Sequence, residues 1–289
     1  MITTDDQLVA AETYEEAAAI LATHRDDARI LAGGQSLALL MRLGFASPQV
    51  LVSLRRCPDV TALATGPNEA TVGARVTVAA IAESRLRAAA PVVASAAGQI
   101  ASPHVRNVGT LVGNLCHADP GNDMAAPLLC HDAIAIVASS RGERHLRLEE
   151  LLASPFVLSL DDDEFVRGCR IPRLDGWRGS YRKVVWRGAD HPVTAAAVTL
   201  RIVAGVVEDV RVSVGACVAV PRRLPQLEAD LRGLEVDASP DLYPMVSDHL
   251  AGVDMLEESE ISAAYRSRAT AAAIHDAVAD CTRVGRHHR

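Results

Sequence analysis

The sequence predicts an α+β protein in which a mixed α/β front portion precedes a smaller C-terminal domain with an antiparallel sheet. Before residue 176, segments with helical periodicity alternate with short apolar segments that are typical of strands. After Trp177, two long runs alternate apolar and polar residues around Gly205, which is the pattern of antiparallel strands. The stretches 222–235 and 262–282 have the spacing of amphipathic helices, so the second region combines a sheet with helices.

The first helices of the front portion have recognisable starts. Thr13 can cap a helix, and the two glutamates that follow it suit the positive first turn of that helix. The stretch 30–44, ILAGGQSLALLMRLG, predicts a strand that ends in a Gly-Gly pair and a helix that opens at Gln35. A second strand follows within 49–60.

The same alternation continues to the end of the front portion. Residues 62–84 read as two strands around a Gly-Pro-Asn turn, followed by a helix that starts near Thr77. The alanine-rich stretch 91–102 predicts a helix that can pack closely, and 123–139 predicts a helix running into a strand. Residues 141–174 keep the mixed pattern.

Composition excludes two classes of protein. The net charge is -7, so the chain has no basic excess with which to neutralise nucleic acid. No segment reaches the roughly 20 apolar residues that a membrane helix needs. The N-terminal stretch MITTDDQLVA is acidic where a secretory signal would be basic and then apolar. We therefore expect a cytoplasmic protein without a nucleic-acid partner.

The cysteines argue against an iron–sulfur cluster or a zinc ribbon in this chain. No two of them form a CxxC pair, and such sites need closely spaced thiolates. Reduced and mostly buried thiols are the expected state. The six are Cys57, Cys116, Cys130, Cys169, Cys217 and Cys281.

The stretch 106–123, RNVGTLVGNLCHADPGND, holds several chemically able side chains but favours neither a metal site nor a nucleophile. Pro120 and Gly121 interrupt the segment, so no helical pair of ligands forms; His117 and Asp119 are expected to hydrogen-bond a tight loop instead. A neighbouring cysteine and histidine rarely point at each other, and Ser36 lacks the GxSxG elbow. We predict no catalytic residue and no metal ligand.

Two glycine-containing loops favour a site for a dinucleotide. Bare backbone lets amide groups converge on a phosphate, and a helix N-terminus adds partial positive charge. Neither loop is a GxGxxG motif or a Walker loop, but two such loops with an acid downstream fit a cofactor with a pyrophosphate centre. The first loop is Ala32, Gly33, Gly34, Gln35 and Ser36, and the second is Thr110, Leu111, Val112, Gly113 and Asn114.

These stretches resemble the FAD-binding subunits of molybdenum hydroxylases, the family of xanthine dehydrogenase and aerobic carbon monoxide dehydrogenase. The resemblance is carried by ILAGGQSLALLMRL, TVGARVT, VRNVGTLVGNLCHADPGND, YRKVVWR and SAAYRS, in the family's order and over essentially the whole chain. It implies that both loops hold the FAD pyrophosphate. It also implies that Asp123 binds the cofactor, that Lys183 contacts the flavin and that Ile100 lies near its ring.

The resemblance implies a domain plan and an assembly. A two-lobed FAD-binding domain would span 1–175, with lobes of roughly 1–58 and 59–175, and a C-terminal α+β domain would span 177–289. The expected partners are a small subunit with [2Fe–2S] clusters and a large subunit with the molybdenum cofactor, assembled as a dimer of heterotrimers. Electrons would reach FAD from the clusters and leave to NAD+, a quinone or oxygen.

One departure keeps two alternatives open. The family has Thr-x-Gly-Gly-Asn where this chain has Val112 in place of the first glycine. If that glycine touches the pyrophosphate, the valine weakens FAD binding; if it only packs, nothing changes. The alternatives are a non-catalytic assembly subunit with a weakened FAD site and a free-standing flavoprotein oxidoreductase.

Overall fold

The N-terminal part of the chain folds around a small parallel sheet. The structure is a computed structural model that describes residues 7–187, 190–236 and 241–283; the outer ends of both predicted domains, 1–6 and 284–289, lie outside it. The strand order is β1-β3-β2, with both pairs parallel. The elements are β1 (Gln7–Ala10), α1 (Tyr14–His24), a 3-10 turn (Arg25–Asp27), β2 (Ala28–Leu31), α2 (Gln35–Leu43) and β3 (Val50–Ser53).

The two helices of this lobe differ in how they are packed. Thr13 caps α1 as predicted, because its hydroxyl accepts a hydrogen bond from the Glu16 amide at 3.1 Å. Helix α1 buries one face, whereas no residue of α2 is fully buried. Leu39 and Leu43 of α2 are 45% and 57% exposed, so this helix presents apolar side chains to solvent.

The second lobe is built on a five-stranded antiparallel sheet with the order β4-β5-β10-β6-β7. The helices between β5 and β6 pack beside this sheet and carry the second glycine loop. The lobe also contains a small β8–β9 hairpin. The elements of the lobe are β4 (Leu63–Thr65), β5 (Glu69–Gly73), α3 (Val78–Glu83), α4 (Leu86–Ala89), α5 (Pro91–Gln99), α6 (Pro103–Arg106), α7 (Leu111–His117), α8 (Ala125–Cys130), β6 (Ile134–Ser139), β7 (Gly142–Arg147), α9 (Leu148–Leu151), β8 (Leu152–Ser154), β9 (Val157–Leu158) and β10 (Phe165–Pro172).

The C-terminal region contains the predicted antiparallel sheet, with the order β11-β12-β13-β14, covered by helices. Strand β11 ends at Val184 and β12 begins at Thr194, whereas the alternating pattern predicts one long run before Gly205. The predicted fold class is confirmed. The elements are β11 (Arg178–Val184), β12 (Thr194–Val203), β13 (Val206–Gly215), β14 (Arg222–Arg223), α10 (Pro225–Leu231), α11 (Tyr243–Leu250) and α12 (Ala263–Thr282). Across the described ranges, no helix has the length and apolar character to cross a membrane.

Strand β12 is shared between two hydrophobic cores. Ala195 and Ala197 belong to the core of the two N-terminal lobes, while Ala196 and Val198 belong to the core beneath α12. Successive side chains of a strand point to opposite faces, so one strand can serve both cores. Both faces are therefore buried from Thr194 to Leu200, which explains why this part of the strand is mostly apolar rather than alternating.

Strand β11 is held against the N-terminal lobes by helix α5. A Cβ at Gly179 would lie 2.9 Å from the Val92 amide nitrogen, so only glycine permits this close approach. The Gln99 side-chain amide also donates to the Tyr181 carbonyl at 3.2 Å. The strand is thereby fixed at the point where its next residues reach the candidate site.

The predicted burial of the thiols is confirmed, because five of the cysteines are buried and Cys116 is partly buried.

A buried histidine follows one of these cysteines in the sequence. His131 is 0% exposed, and its Nδ1 is 2.9 Å from the Pro172 carbonyl oxygen. Burial lowers the pKa of His131 to about 4; the Pro172 carbonyl opposes that shift, and Arg211 adds to it.

The folded protein therefore binds a proton at His131 less readily than the unfolded chain does. Its contribution to stability is complete above about pH 6.5 and is lost as the pH falls towards 4, by up to about 3 kcal/mol. Replacing His131 with Asn should flatten the dependence of unfolding free energy on pH in this window, as measured by urea unfolding. An Asn at the exposed His145 of β7 is the control, and equal slopes in all three proteins would contradict the prediction.

Candidate functional site

The two glycine loops meet through bare backbone. Gly33 lies between β2 and α2, and a Cβ on it would be 2.2 Å from the Val108 carbonyl oxygen. Gly109 is similarly close-packed, since its Cβ would be 2.9 Å from the Val105 carbonyl oxygen. These glycines let two turns abut, so the predicted loops form one continuous surface.

The first loop presents unpaired amides. Gly34 has φ of 73°, a left-handed conformation that glycine adopts easily, and it turns the chain into α2. No acceptor among the described residues pairs with the amides of Gly34, Gln35 and Ser36. Helix starts leave such donors free, and they carry partial positive charge. The Ala32–Ser36 segment can therefore receive an anion.

The second loop is shaped by Thr110. Its hydroxyl accepts a hydrogen bond from the Gly113 amide at 3.0 Å and caps α7. A Cβ at Gly113 would lie 2.8 Å from that hydroxyl oxygen, so a larger residue here would require the Thr110 side chain to shift. The turn is thus fixed before any ligand binds.

Val112 occupies its position without strain. It is the second residue of α7, its φ is not positive, and its side chain is 3% exposed in the core. The Leu111 side chain is buried as well, so both residues can offer only backbone to the loop surface. The family's glycine is therefore not needed here for its conformational freedom.

Asn114 ties the second loop to the segment that carries Asp123. Its side-chain oxygen accepts from the Met124 amide at 3.1 Å, and its carbonyl accepts from the Asn122 side chain at 2.7 Å. The sequence analysis assigns Asn114 to the pyrophosphate. In the structure its side-chain oxygen holds the loop that leads to Asp123, and its contact with the pyrophosphate stays a prediction.

Asp123 lies at the centre of a buried polar cluster formed with strand β11. Lys183 Nζ and the Tyr181 hydroxyl both donate to Asp123 Oδ1, at 2.9 Å and 2.7 Å. All three side chains are buried, and buried charges are retained when they are paired in this way. The hydrogen-bond partners of this acid in the front portion therefore come from two residues of the C-terminal sheet.

Lys183 is also singled out by composition. It is the one lysine of the 289 residues, and the rest of the 29 lysine and arginine residues are arginine. An ammonium group is a compact charge with three rotatable donors, unlike the planar guanidinium group. The only lysine lies in a buried cluster at the candidate site.

Ile100 lies on the side of the site formed by α5. It follows the last residue of that helix and is almost fully buried, and its carbonyl accepts from the Arg106 guanidinium group at 2.7 Å. Because Gln99 contacts the backbone of β11, the Ile100 turn is connected to the Asp123 cluster. The predicted site residues thus form a continuous set of loops and contacts.

The loop between α7 and Asp123 is held by Asp119, as predicted. Asp119 Oδ1 accepts from the Gly121 amide at 2.8 Å. His117 Nε2 lies 3.8 Å from Asp119 Oδ2; burial lowers the pKa of His117, Asp119 opposes that shift and His191 adds to it. Within 7–187, 190–236 and 241–283, no three His, Cys, Asp or Glu side chains are grouped as metal ligands.

The contact between Tyr181 and Asp123 escapes a motif-based analysis. Tyr181 opens the stretch YRKVVWR, but its contact with Asp123 spans 58 residues of sequence. The period of two in a strand places residues 181 and 183 on one face, which is the signal that could have paired them. The rarity of lysine is the second signal, since it marks Lys183 without any alignment.

The contact between the loops predicts the effect of adding one methyl group. Gly33→Ala should lower the free energy of unfolding by roughly 1–3 kcal/mol, because the Val108 carbonyl must move. Gly98→Ala is the matched control: it lies on an exposed face of α5 with its nearest neighbour 4.0 Å away, and should stabilise by about 0.5 kcal/mol. Equal effects in urea unfolding would contradict the close contact.

Family models match both parts of the chain. The family described as "FAD binding domain in molybdopterin dehydrogenase" matches residues 4–174. The family described as "CO dehydrogenase flavoprotein C-terminal domain" matches residues 179–280. The first match covers more than half of the chain and includes both glycine loops and Asp123.

Individual relatives agree with these matches. The nicotine 6-hydroxylase medium subunit of Paenarthrobacter nicotinovorans is 34% identical, over 88% of this chain and 89% of its own. The glyceraldehyde dehydrogenase medium chain of Sulfolobus acidocaldarius is 29% identical, over 84% and 87%. A chain of the solved Cu,Mo-CO dehydrogenase superposes with a TM-score of 0.92 at 26% identity, covering 98% of this chain and 99% of that one. The chain belongs to the family of FAD-binding medium subunits of the molybdenum hydroxylases, and is thus an oxidoreductase subunit.

Proposed function

We propose that this chain takes electrons from the [2Fe–2S] clusters of a partner subunit and passes them through FAD to an external acceptor, such as NAD+, a quinone or oxygen. The observation that carries the proposal is the joint placement of free amides and a buried acid–lysine cluster in one surface. Bound FAD supplies the chemistry, since a flavin can accept electrons one at a time and release two.

The residues present fit this cofactor. The unpaired amides at the start of α2 suit a pyrophosphate, and the second loop, Thr110–Asn114, continues the same surface. Asp123 keeps one carboxylate oxygen without a partner among the described residues, so it can accept from a hydroxyl of the cofactor. Lys183 supplies a positive charge in a dry environment, and Ile100 an apolar surface.

We also propose partners and boundaries. The chain would join a small [2Fe–2S] subunit and a large molybdenum-cofactor subunit, as a dimer of heterotrimers in the cytoplasm. The relatives are called a "medium subunit" and a "medium chain", which supports a larger assembly. The apolar side chains exposed along α2 are surface that a partner would cover. The domains would be 1–175, with lobes of roughly 1–58 and 59–175, and 177–289, in line with the three larger sheets.

The two alternative functions receive less support. An assembly subunit with a weakened FAD site depended on interference by Val112, whose side chain points into the core. A free-standing flavoprotein is disfavoured by the relatives, whose names mark them as parts of complexes.

The first test is FAD binding by the purified chain. After incubation with excess FAD and removal of the free cofactor, we expect flavin absorbance equivalent to about one FAD per chain. Because Lys183 is unique, the chain labelled with lysine carrying ¹³C at Cε should give one ε-methylene resonance, and FAD should shift it. A folded chain with no flavin absorbance and an unmoved resonance would contradict the proposal.

A second test addresses the charge of Lys183. Lys183→Met should lower FAD affinity about tenfold and make the reduction potential of bound FAD more negative, because a cation near reduced flavin is lost. Arg182→Met is the matched control: Arg182 points to the opposite face of β11 and pairs with Asp280. Unchanged affinity and potential in the Lys183 variant would exclude this role.

A third test addresses Val112. Val112→Gly should leave FAD affinity within about twofold of the parent, because the side chain faces the core. The same change should lower the free energy of unfolding by about 3 kcal/mol, through a cavity and a glycine in a helix. A large gain in FAD affinity would revive the alternative of a weakened site.

A further inference from the structure

The two donors to Asp123 share one oxygen. Lys183 Nζ and the Tyr181 hydroxyl both bond to Oδ1, and the described residues place no donor on Oδ2. Oδ2 is nevertheless not among the fully buried atoms that lack a partner, so part of its surface is accessible. The carboxylate therefore has one restrained oxygen and one available oxygen.

The fold fixes the position of the Tyr181 side chain. Its side chain is 2% exposed and belongs to the core of the FAD-binding lobes, although the residue lies in the C-terminal sheet. Its carbonyl is held by Gln99, and its neighbour two residues back, Gly179, packs directly on Val92. The phenol is thus delivered to Asp123 by a strand that is fixed on both sides.

The phenol is suited to donate. A hydrogen bond from a neutral hydroxyl to a carboxylate is stronger than one between neutral groups, and 2.7 Å is its usual length. Burial first, and then the charge of Asp123, raise the pKa of Tyr181 well above its ordinary value. The hydroxyl consequently keeps its proton at neutral pH and cannot exchange roles with the acid.

We infer that Tyr181 is a positioning residue for the cofactor: its hydroxyl fixes Asp123 Oδ1 so that Oδ2 is presented to a hydroxyl group of FAD. This inference rests on the proposed function. Lys183 alone would leave the carboxylate free to rotate, because an ammonium group on a flexible stem tolerates many orientations. The second donor removes that freedom before FAD arrives, and preorganisation of this kind increases affinity.

The test is a double-mutant cycle on FAD affinity, measured by titrating flavin fluorescence. Tyr181→Phe should weaken FAD binding about tenfold in the parent chain. In an Asp123→Asn background the same change should weaken it less than twofold, because the tyrosine acts through the acid. Tyr14→Phe is the control, since the Tyr14 hydroxyl also donates to a protein oxygen, that of Pro58, but outside the site.

The outcomes separate this inference from the function on which it rests. Parent chain that binds no FAD overturns both. Parent chain that binds FAD, with Tyr181→Phe binding equally well, overturns only the role of Tyr181. Equal losses in the two backgrounds would show a general structural effect, and would also overturn it. Urea unfolding of each variant checks folding; should Tyr181→Phe not fold, 3-fluorotyrosine at 181 keeps the donor and should preserve the parent affinity.

Discussion

A buried ion pair between two parts of the chain is the interaction on which the site depends. Asp123 belongs to the loop that follows α7, and Lys183 belongs to the first strand of the C-terminal sheet. Neither charge would be stable in this buried environment without the other, because an unpaired buried ion costs several kcal/mol. The strand must therefore lie against α5 for the loop to keep its acid, and the pair couples the arrangement of the two regions.

The sequence predicts the local elements of this molecule well. The cap at Thr13, the helix that opens at Gln35 and the antiparallel sheet after Trp177 are all present. These features depend on neighbouring residues, and local chemistry is what a single sequence expresses. The break between β11 and β12 was not predicted, because β12 is buried on both faces and so loses the alternation that marks a strand end.

In the candidate site, too, local features could be predicted from the sequence and long-range contacts could not. Both loops and Asp123 could be found from short motifs, and Lys183 from the resemblance. The contact between Gly33 and Val108 joins residues 75 positions apart, a separation that no local pattern encodes. The contact between the Asn114 side-chain oxygen and the Met124 amide was not predicted either, because the path of the loop sets that partner. The effect of Val112 on the loop could be judged only from the structure, because only packing shows which way its side chain points.

The division of β12 between two cores has a consequence for how the molecule comes apart. Ala195 and Ala197 serve one core and Ala196 and Val198 the other, so removing this strand would open both at once. Because the two cores share this strand, we do not expect the chain to separate into two halves that each remain folded. Heat should melt it in one cooperative transition, and a proteolytic nick near residue 176 would leave two fragments that stay associated rather than two stable domains.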